Sequence, residues 1–422
     1  MKGNATPQGT GIRTEDMNTL RSLAGRYAEI AHLDVQQERM ARYRRSNGLE
    51  IVRPIVLIDE VPWGEIRDDA LRCVCGPELH WIEWPMRVAL YQWEHFQVDM
   101  VVPPVFHVRK KIRSTGIGIN VKDEVIKGDT GAYIAAHEYT DQLQTDEDLA
   151  KLHPPELTYD PEGTEAALEM ARHVFGGLLD VTLSGVIPSY GIWDQVARYR
   201  GVDALLLDLA MRPDFMHRVA QRFMEIAAAT FEQHEAQDLL DVDPVLIHCT
   251  PACTDELPAD DFDGRARRKD VWGRCVAQIF GSVSPEMHDE FDLAYNQQIF
   301  SDYGLLYYGC CEPLDSKVHL LRDRFPNLRK ISITPWANPE RAAQNIGSDY
   351  VLAAKPNPAF VSQAQFNPKP VEDEIARYCE ACRENETPLE FVIKDISTIA
   401  NNPDNLTEWA DTVNRVIDRY YE

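Results

Sequence analysis

LLYYGC (305–310), KISIT (330–334), YVLAA (350–354) and LEFVI (389–393) are short apolar runs, each followed by a stretch of helical spacing. The helices read over Leu314–Arg324, Pro339–Ile346, Val371–Arg383 and 405–420. Continuous apolar runs this short read as strands covered on both faces, and strict strand–helix alternation reads as parallel strands joined by crossovers. Upstream, Pro54–Ile58, Val98–Val102, Leu179–Ile187 and Pro244–Cys249 supply further strands. Helical patterns lie over 16–46, 81–95, 161–175, 192–210, 213–237 and 285–301, the last opened by Ser284-Pro285-Glu286. Eight such strands predict a (β/α)8 barrel, with a doubly wound open sheet as the alternative. The barrel is expected to occupy 51–422. It follows an N-terminal extension, 1–50, disordered over 1–15 and then helical. A charged, Gly-punctuated excursion after the second strand (105–145) reads as a hairpin insertion.

The 422 residues carry 43 Lys and Arg against 68 Asp and Glu, a formal charge of −25. That balance disfavours a duplex nucleic-acid binder or docking on an anionic membrane, both of which need a basic face. There is no apolar run of membrane-spanning length and no secretory signal, so the expected location is cytoplasmic. Nine cysteines, an odd number, fit reduced thiols or metal ligands better than a disulfide framework. Neither GxGxxG after the first strand nor GxxxxGK[ST] nor GxSxG is present, which leaves dinucleotide, P-loop and serine-hydrolase sites without support.

In a parallel barrel the chemistry gathers at the C-terminal ends of the strands. Those ends carry Asp59 and Glu60, His248 and Cys249, Tyr308 through Glu312, Thr334 through Asn338, Lys355, and Asp395. Cys310, Cys311 and Asp395 form a thiol–carboxylate donor set suited to zinc. Strand alternation lets only one of the two cysteines face the axis. Simple burial of both is the competing reading. Glu312, His248 and Lys355 are the candidate catalytic side chains. Tyr190, Trp193, Trp336, Asn338 and Tyr308 are the candidate substrate contacts. Cys379 and Cys382 have redox-motif spacing, but they sit in a charged helix and not after a strand. Cys73 and Cys75 read as packing residues.

Several strings, in this order and spacing, resemble the uroporphyrinogen decarboxylase-like superfamily. They are QLQTDEDLAKL (142–152), GIWDQVARYRGVDALLLDLAMRPDFMHRV (191–219), SVSPEMHDEF (282–291), LLYYGCCEPLD (305–315), ISITPWANPE (331–340) and AAKPNPA (353–359). The resemblance covers about 54–417 and implies a (β/α)8 barrel. The decarboxylase holds its substrate with arginines after the first strand; here that position is the acidic IDEVPWGEI. The cobalamin-linked methyltransferases of the superfamily bind zinc through His-x-Cys and a late Cys. Those positions match Tyr308, Cys310 and Asp395. The resemblance therefore implies a mixed Cys/carboxylate site, harder and more Lewis acidic, like that of O-demethylating members. It further implies a methoxylated small molecule as donor and a corrinoid (cobalamin) on a separate protein as acceptor, with a homodimer as an admitted assembly. Decarboxylation of a carboxylated small molecule, with Lys355, Arg109 and Lys110 as its basic candidates, is the alternative, and a non-catalytic binding barrel the third.

Overall fold

The computed structural model describes residues 12–126 and 136–421, so most of the stretch expected to be disordered, 1–11, lies outside it. The chain divides into two units. The first comprises Met1–Arg39, Arg67–Lys111 and Asp160–Ser184, and the second Met40–Ile66, Ile112–Tyr159 and Gly185–Glu422.

In the first unit, helices Thr14–Ala31, His80–His95 and Pro161–Phe175 pack with a parallel pair of strands, Val105–Arg109 and Asp180–Ser184. The third helix shows how local sequence sets an element. Asp160 caps it by accepting from Gly163, Pro161 starts it, and Leu168, Ala171, Val174 and Phe175 form its buried stripe. These meet Leu20, Leu23, Ile82, Met86 and Val108 in one core.

The second unit is built on a seven-stranded parallel sheet. Its strands are β1 Ile55–Ile58, β2 Ser189–Tyr190, β3 Trp272–Cys275, β4 Leu305–Tyr308, β5 Leu328–Ile333, β6 Val351–Ala354 and β7 Leu389–Ile393. The order across the sheet is β1-β7-β6-β5-β4-β3-β2, so the first and last strands of the chain lie side by side. That is the neighbour relation of a barrel, yet no pairing among the described residues joins β2 to β1. The fold is thus α/β with a central parallel sheet, and closure into eight strands is not seen. Helices Pro339–Ile346, Pro368–Glu384 and Asp404–Ile417 follow β5, β6 and β7 as the crossovers the sequence predicts. The last buries Leu406, Trp409, Val413 and Ile417, at about 1.5–3 kcal/mol for each large side chain.

Four elements differ from the sequence reading. Val98–Val102 is not a strand; the strand begins beyond Pro103-Pro104, at Val105, because proline offers no N–H to a ladder. Leu179–Ile187 yields only Asp180–Ser184, and the strand of the central sheet starts beyond it, at Ser189. Asp180–Ser184 pairs with Val105–Arg109, while β2 enters the central sheet. At Gly185 an added Cβ would lie 2.4 Å from the Leu239 and Leu240 backbone, so the chain there passes another segment too closely for a side chain. Pro244–Cys249 contributes only Leu246–Ile247, antiparallel to Thr250–Pro251. Its expected place in the sheet belongs to β3, whose Gly273 and Arg274 hide it from an apolar-run reading. Finally, the helix expected over 192–210 breaks at Gly201, which has φ +81°. The hairpin of the insertion is present as Asp123–Ile126 against Ala136–Tyr139, with 127–135 outside the described residues. No helix among the described residues is long and apolar enough to cross a membrane.

Candidate metal centre

The C-terminal ends of β4 and β7 and the turn at His248 bring their polar side chains together. Alternation along β4 directs Tyr307 to one face of the sheet and Tyr308 to the other. Tyr308 lies on the helix-covered face, its hydroxyl 2.8 Å from Asp292 and 2.7 Å from His288. Continued alternation would send Cys310 to that same side. Gly309 prevents it. Its φ is +100°, and a Cβ there would meet Leu314 at 2.6 Å, so only glycine fits and the chain turns over. Cys310 thereby joins Lys394 and His248.

The turn is fastened by Glu312. Its carboxylate is fully buried and accepts from the Cys310 N–H at 2.9 Å and the Ala277 N–H at 3.0 Å. Ser332 adds a hydroxyl bond to the Cys310 carbonyl at 2.8 Å. Burial pushes the Glu312 carboxyl up. Its place is therefore that of a strap under Cys310, not that of a group open to substrate.

Around the Cys310 sulfur stand Lys394 Nζ at 3.1 Å, His248 Nε2 at 3.4 Å and Cys311 Sγ at 3.6 Å. The hydrogen bond with Cys311, the bond from His248 and the Lys394 charge hold the Cys310 thiol far below its ordinary value, against the effect of burial. It is a thiolate. Cys311 is pushed the other way, first by that same bond and then by burial, and stays a thiol whose S–H reaches Asp395 Oδ2 at 3.2 Å. Burial works against the Asp395 charge, but Lys394, 2.7 Å away, holds the carboxyl low. Glu60 accepts from the Asp395 N–H at 3.0 Å. Burial foremost raises its carboxyl. Burial, foremost, lowers the His248 imidazole. Glu60, His248 and Asp395 all have left-handed backbones, with φ of +50°, +43° and +55°. Non-glycine residues pay strain for that conformation, which persists where the surroundings over-determine it.

Cys310, Cys311 and Asp395 each offer a ligand atom, and these atoms lie within 4.8 Å of one another. Two sulfurs and a carboxylate, with the His248 imidazole on the same sulfur, match the donor chemistry of zinc. In this structure the charge of the set is balanced by Lys394, whose Nζ lies 3.1 Å from the Cys310 sulfur and 2.7 Å from Asp395.

The remaining sequence candidates fall into two groups. Lys355 is buried on the same face as Tyr307; burial disfavours its charge, but Tyr307, Cys249 and Glu390 around it raise it above the ordinary lysine value. Tyr190 is half-buried in β2, edge-on to Phe231. Others are engaged elsewhere. Trp193 is fully buried, donates to the Phe291 carbonyl at 3.0 Å and stacks on Phe280. Asn338 caps the helix Pro339–Ile346 by accepting from Arg341. Trp336 is 73% exposed. Tyr308 is the member of its pair that faces the helices. Arg109 and Lys110 lie in the first unit, beside a cavity of about 790 Å³. Cys379 and Cys382 are on the buried side of their helix. A second donor group, Cys73, His80 and Glu83, is already occupied internally. Its carboxylate accepts from the Val74 and Cys75 N–H groups, both at 2.9 Å, and from Arg87 at 2.8 Å. Sequence reading missed Lys394 and Arg274. Alternation from Glu390 through Val392 would have placed Lys394 on the Tyr307 face.

No protein-family model matches the chain, and no curated protein matches it in sequence. Among solved structures it is similar to a methyltransferase from Methanosarcina mazei, with 13% identity and a TM-score of 0.48 over 91% of this chain and 99% of that one.

Proposed function

We propose that this chain is a metal-dependent methyltransferase, taking a methyl group from an O-methyl small molecule and delivering it to the cobalt of a corrinoid on a partner protein. The observation that carries this reading is the convergence of the Cys310 and Cys311 sulfurs and the Asp395 carboxylate at the C-terminal edge of a parallel sheet. The superfamily resemblance of the sequence supports the reaction class. Cys310, Cys311 and Asp395 would hold zinc, which leaves the fourth tetrahedral position to the substrate oxygen. Bound there, the metal supplies Lewis-acid polarisation of the ether oxygen.

The side chains of this chain do the rest. Glu312 and Gly309 hold Cys310 toward the site. Lys394 keeps the thiolate and the Asp395 carboxylate in their charged forms. Cys311 would give up its proton on taking the metal, and the departing oxygen would draw its proton from solvent. In the transfer, the methyl–oxygen bond breaks with its electron pair on oxygen, the oxygen gains a proton, and cobalt(I) of the partner donates the pair that forms the cobalt–carbon bond.

Incubation with methoxylated aromatic compounds and reduced cobalamin tests the reading. It predicts methylcobalamin and the free hydroxyl product, both lost in Cys310→Ser. Absence of methyl transfer across such a panel with the zinc-loaded protein would sink it. Decarboxylation is the second reading, favoured by the buried Arg274 and Lys355. Release of carbon dioxide without methyl transfer would select it.

A further inference from the structure

The Tyr307 face of the sheet carries four basic side chains, Arg274, Lys330, Lys355 and Lys394, all of them buried. Register explains their grouping: Arg274 pairs with Tyr307, Tyr307 with Lys330, and Lys355 lies two residues beyond Ala353, the partner of Ser332. Two of the four are neutralised. Lys330 is 2.9 Å from Glu390, and Lys394 contacts Cys310 and Asp395. The other two make no contact-distance ion pair among the described residues: Glu390, which acts on Lys355, is bonded to Lys330, and Cys310, on which Arg274 acts, is bonded to Lys394. Arg274 donates only to neutral groups, Ser189 Oγ at 3.0 Å and the Gly309 carbonyl at 3.4 Å, and its Nε is buried without a partner. Lys355 Nζ and the Tyr307 hydroxyl are likewise buried with no hydrogen-bond partner among the described residues. The Arg274 guanidinium and the Lys355 ammonium each stand 5.8 Å from the centroid of the same Tyr307 ring. Burial pushes the nearby Cys249 thiol up to about 12.

Buried cations persist when an opposite charge completes them. Water satisfies hydrogen bonds but supplies no charge. From the three orphaned donors around one ring, we infer that Arg274, Lys355 and Tyr307 form a carboxylate-binding subsite, so that the substrate is a small molecule with an anionic carboxylate. A planar carboxylate matches a guanidinium edge opposed by an ammonium. The rim above, with exposed Asp395 and Glu60 and half-buried Cys311, carries the metal donors, so the substrate's carboxylate would anchor below the reacting group. This inference rests on reading the rim as the reaction site, but not on the reaction being methyl transfer.

Calorimetric titration of the full chain with 4-methoxybenzoate, neutral 4-methoxybenzamide and inorganic phosphate tests it. The carboxylate is expected to bind at least 10-fold tighter than the amide and tighter than phosphate. Lys355→Met and Arg274→Met should each weaken the carboxylate by about 10–100-fold and leave the amide unchanged. Lys355→Met removes an uncompensated charge, so it should also match or exceed the parent chain in urea resistance. Equal binding of carboxylate and amide, preference for phosphate, no binding by any probe, or full carboxylate affinity in Lys355→Met would each overturn the subsite. Carboxylate binding without methyl transfer would leave the subsite standing and remove the methyltransferase reading. Methyl transfer from a neutral ether with no carboxylate preference would do the reverse.

Discussion

Replacing Glu312 by alanine takes away the acceptor shared by two buried N–H groups, those of Cys310 and Ala277. An orphaned buried donor costs about 1–3 kcal/mol, so two cost about 2–6 kcal/mol. That is a large part of the 5–15 kcal/mol typical of a folded chain. Glu312→Gln keeps one carbonyl oxygen and should recover about half of the loss. The two N–H groups use different carboxylate oxygens, so the amide nitrogen of Gln faces one of them and only one bond is kept. Urea titration followed by tryptophan fluorescence gives the two free energies, and pH-dependent iodoacetamide alkylation reports on Cys310. The expected order is parent, Gln, Ala, with Cys310 losing its thiolate character in the alanine variant as its backbone is released. An alanine variant within about 1 kcal/mol of the parent, with unchanged alkylation, would refute the strap.

Lys394→Met removes the ammonium 3.1 Å from the Cys310 sulfur. A charge-assisted bond of about 1.5–3 kcal/mol implies that the alkylation midpoint of metal-free protein moves to a proton concentration about 10–100-fold lower, and an unmoved midpoint would count against the pairing. Lys330→Met, which strands the buried Glu390 carboxylate, should cost about 3–5 kcal/mol in urea unfolding, and the double change Lys330→Met/Glu390→Leu should recover most of it. Equal losses in the single and double variants would contradict the buried pair. Glu374 is pushed up to about 7, chiefly by burial, although it accepts from the Asn357 N–H. A carboxyl raised on folding keeps its proton while the unfolded chain loses it. Stability therefore falls as pH rises from about 4 to 7, by about 1–2 kcal/mol for this half-buried group after screening, and Glu374→Gln should flatten that fall in thermal melts.

The parts of the fold that could be read in advance were those whose physics is local. β4 and β6 are continuous apolar runs buried on both faces, β5 and β7 are apolar apart from a few polar residues, and the helices that follow them read directly. β3 could not be read that way. Its WGRC carries a glycine and an arginine, and the arginine belongs to a buried charged layer that only sheet register assembles. The same holds for Lys330 and Glu390, polar residues inside strands that pair at 2.9 Å across the sheet face. At the site, Cys310, Cys311 and Asp395 were chosen as strand-end residues and do come together. Tyr308 stands where the superfamily's His-x-Cys pattern has its histidine, but the turn at the left-handed Gly309 leaves it on the helix-covered face, apart from Cys310. Trp193 and Asn338 carry the residue types of a binding pocket, but a buried indole partnered by a carbonyl and an amide at a helix cap are common structural uses of the same side chains.

X-ray absorption at the zinc edge of the purified, zinc-loaded chain tests the central claim most directly. The expected result is one zinc with sulfur scatterers at about 2.3 Å and nitrogen or oxygen at about 2.0–2.2 Å, and loss of sulfur scattering in Cys310→Ser. A shell of light atoms alone, or a spectrum indifferent to that substitution, would mean that these thiols and acids meet without holding a metal.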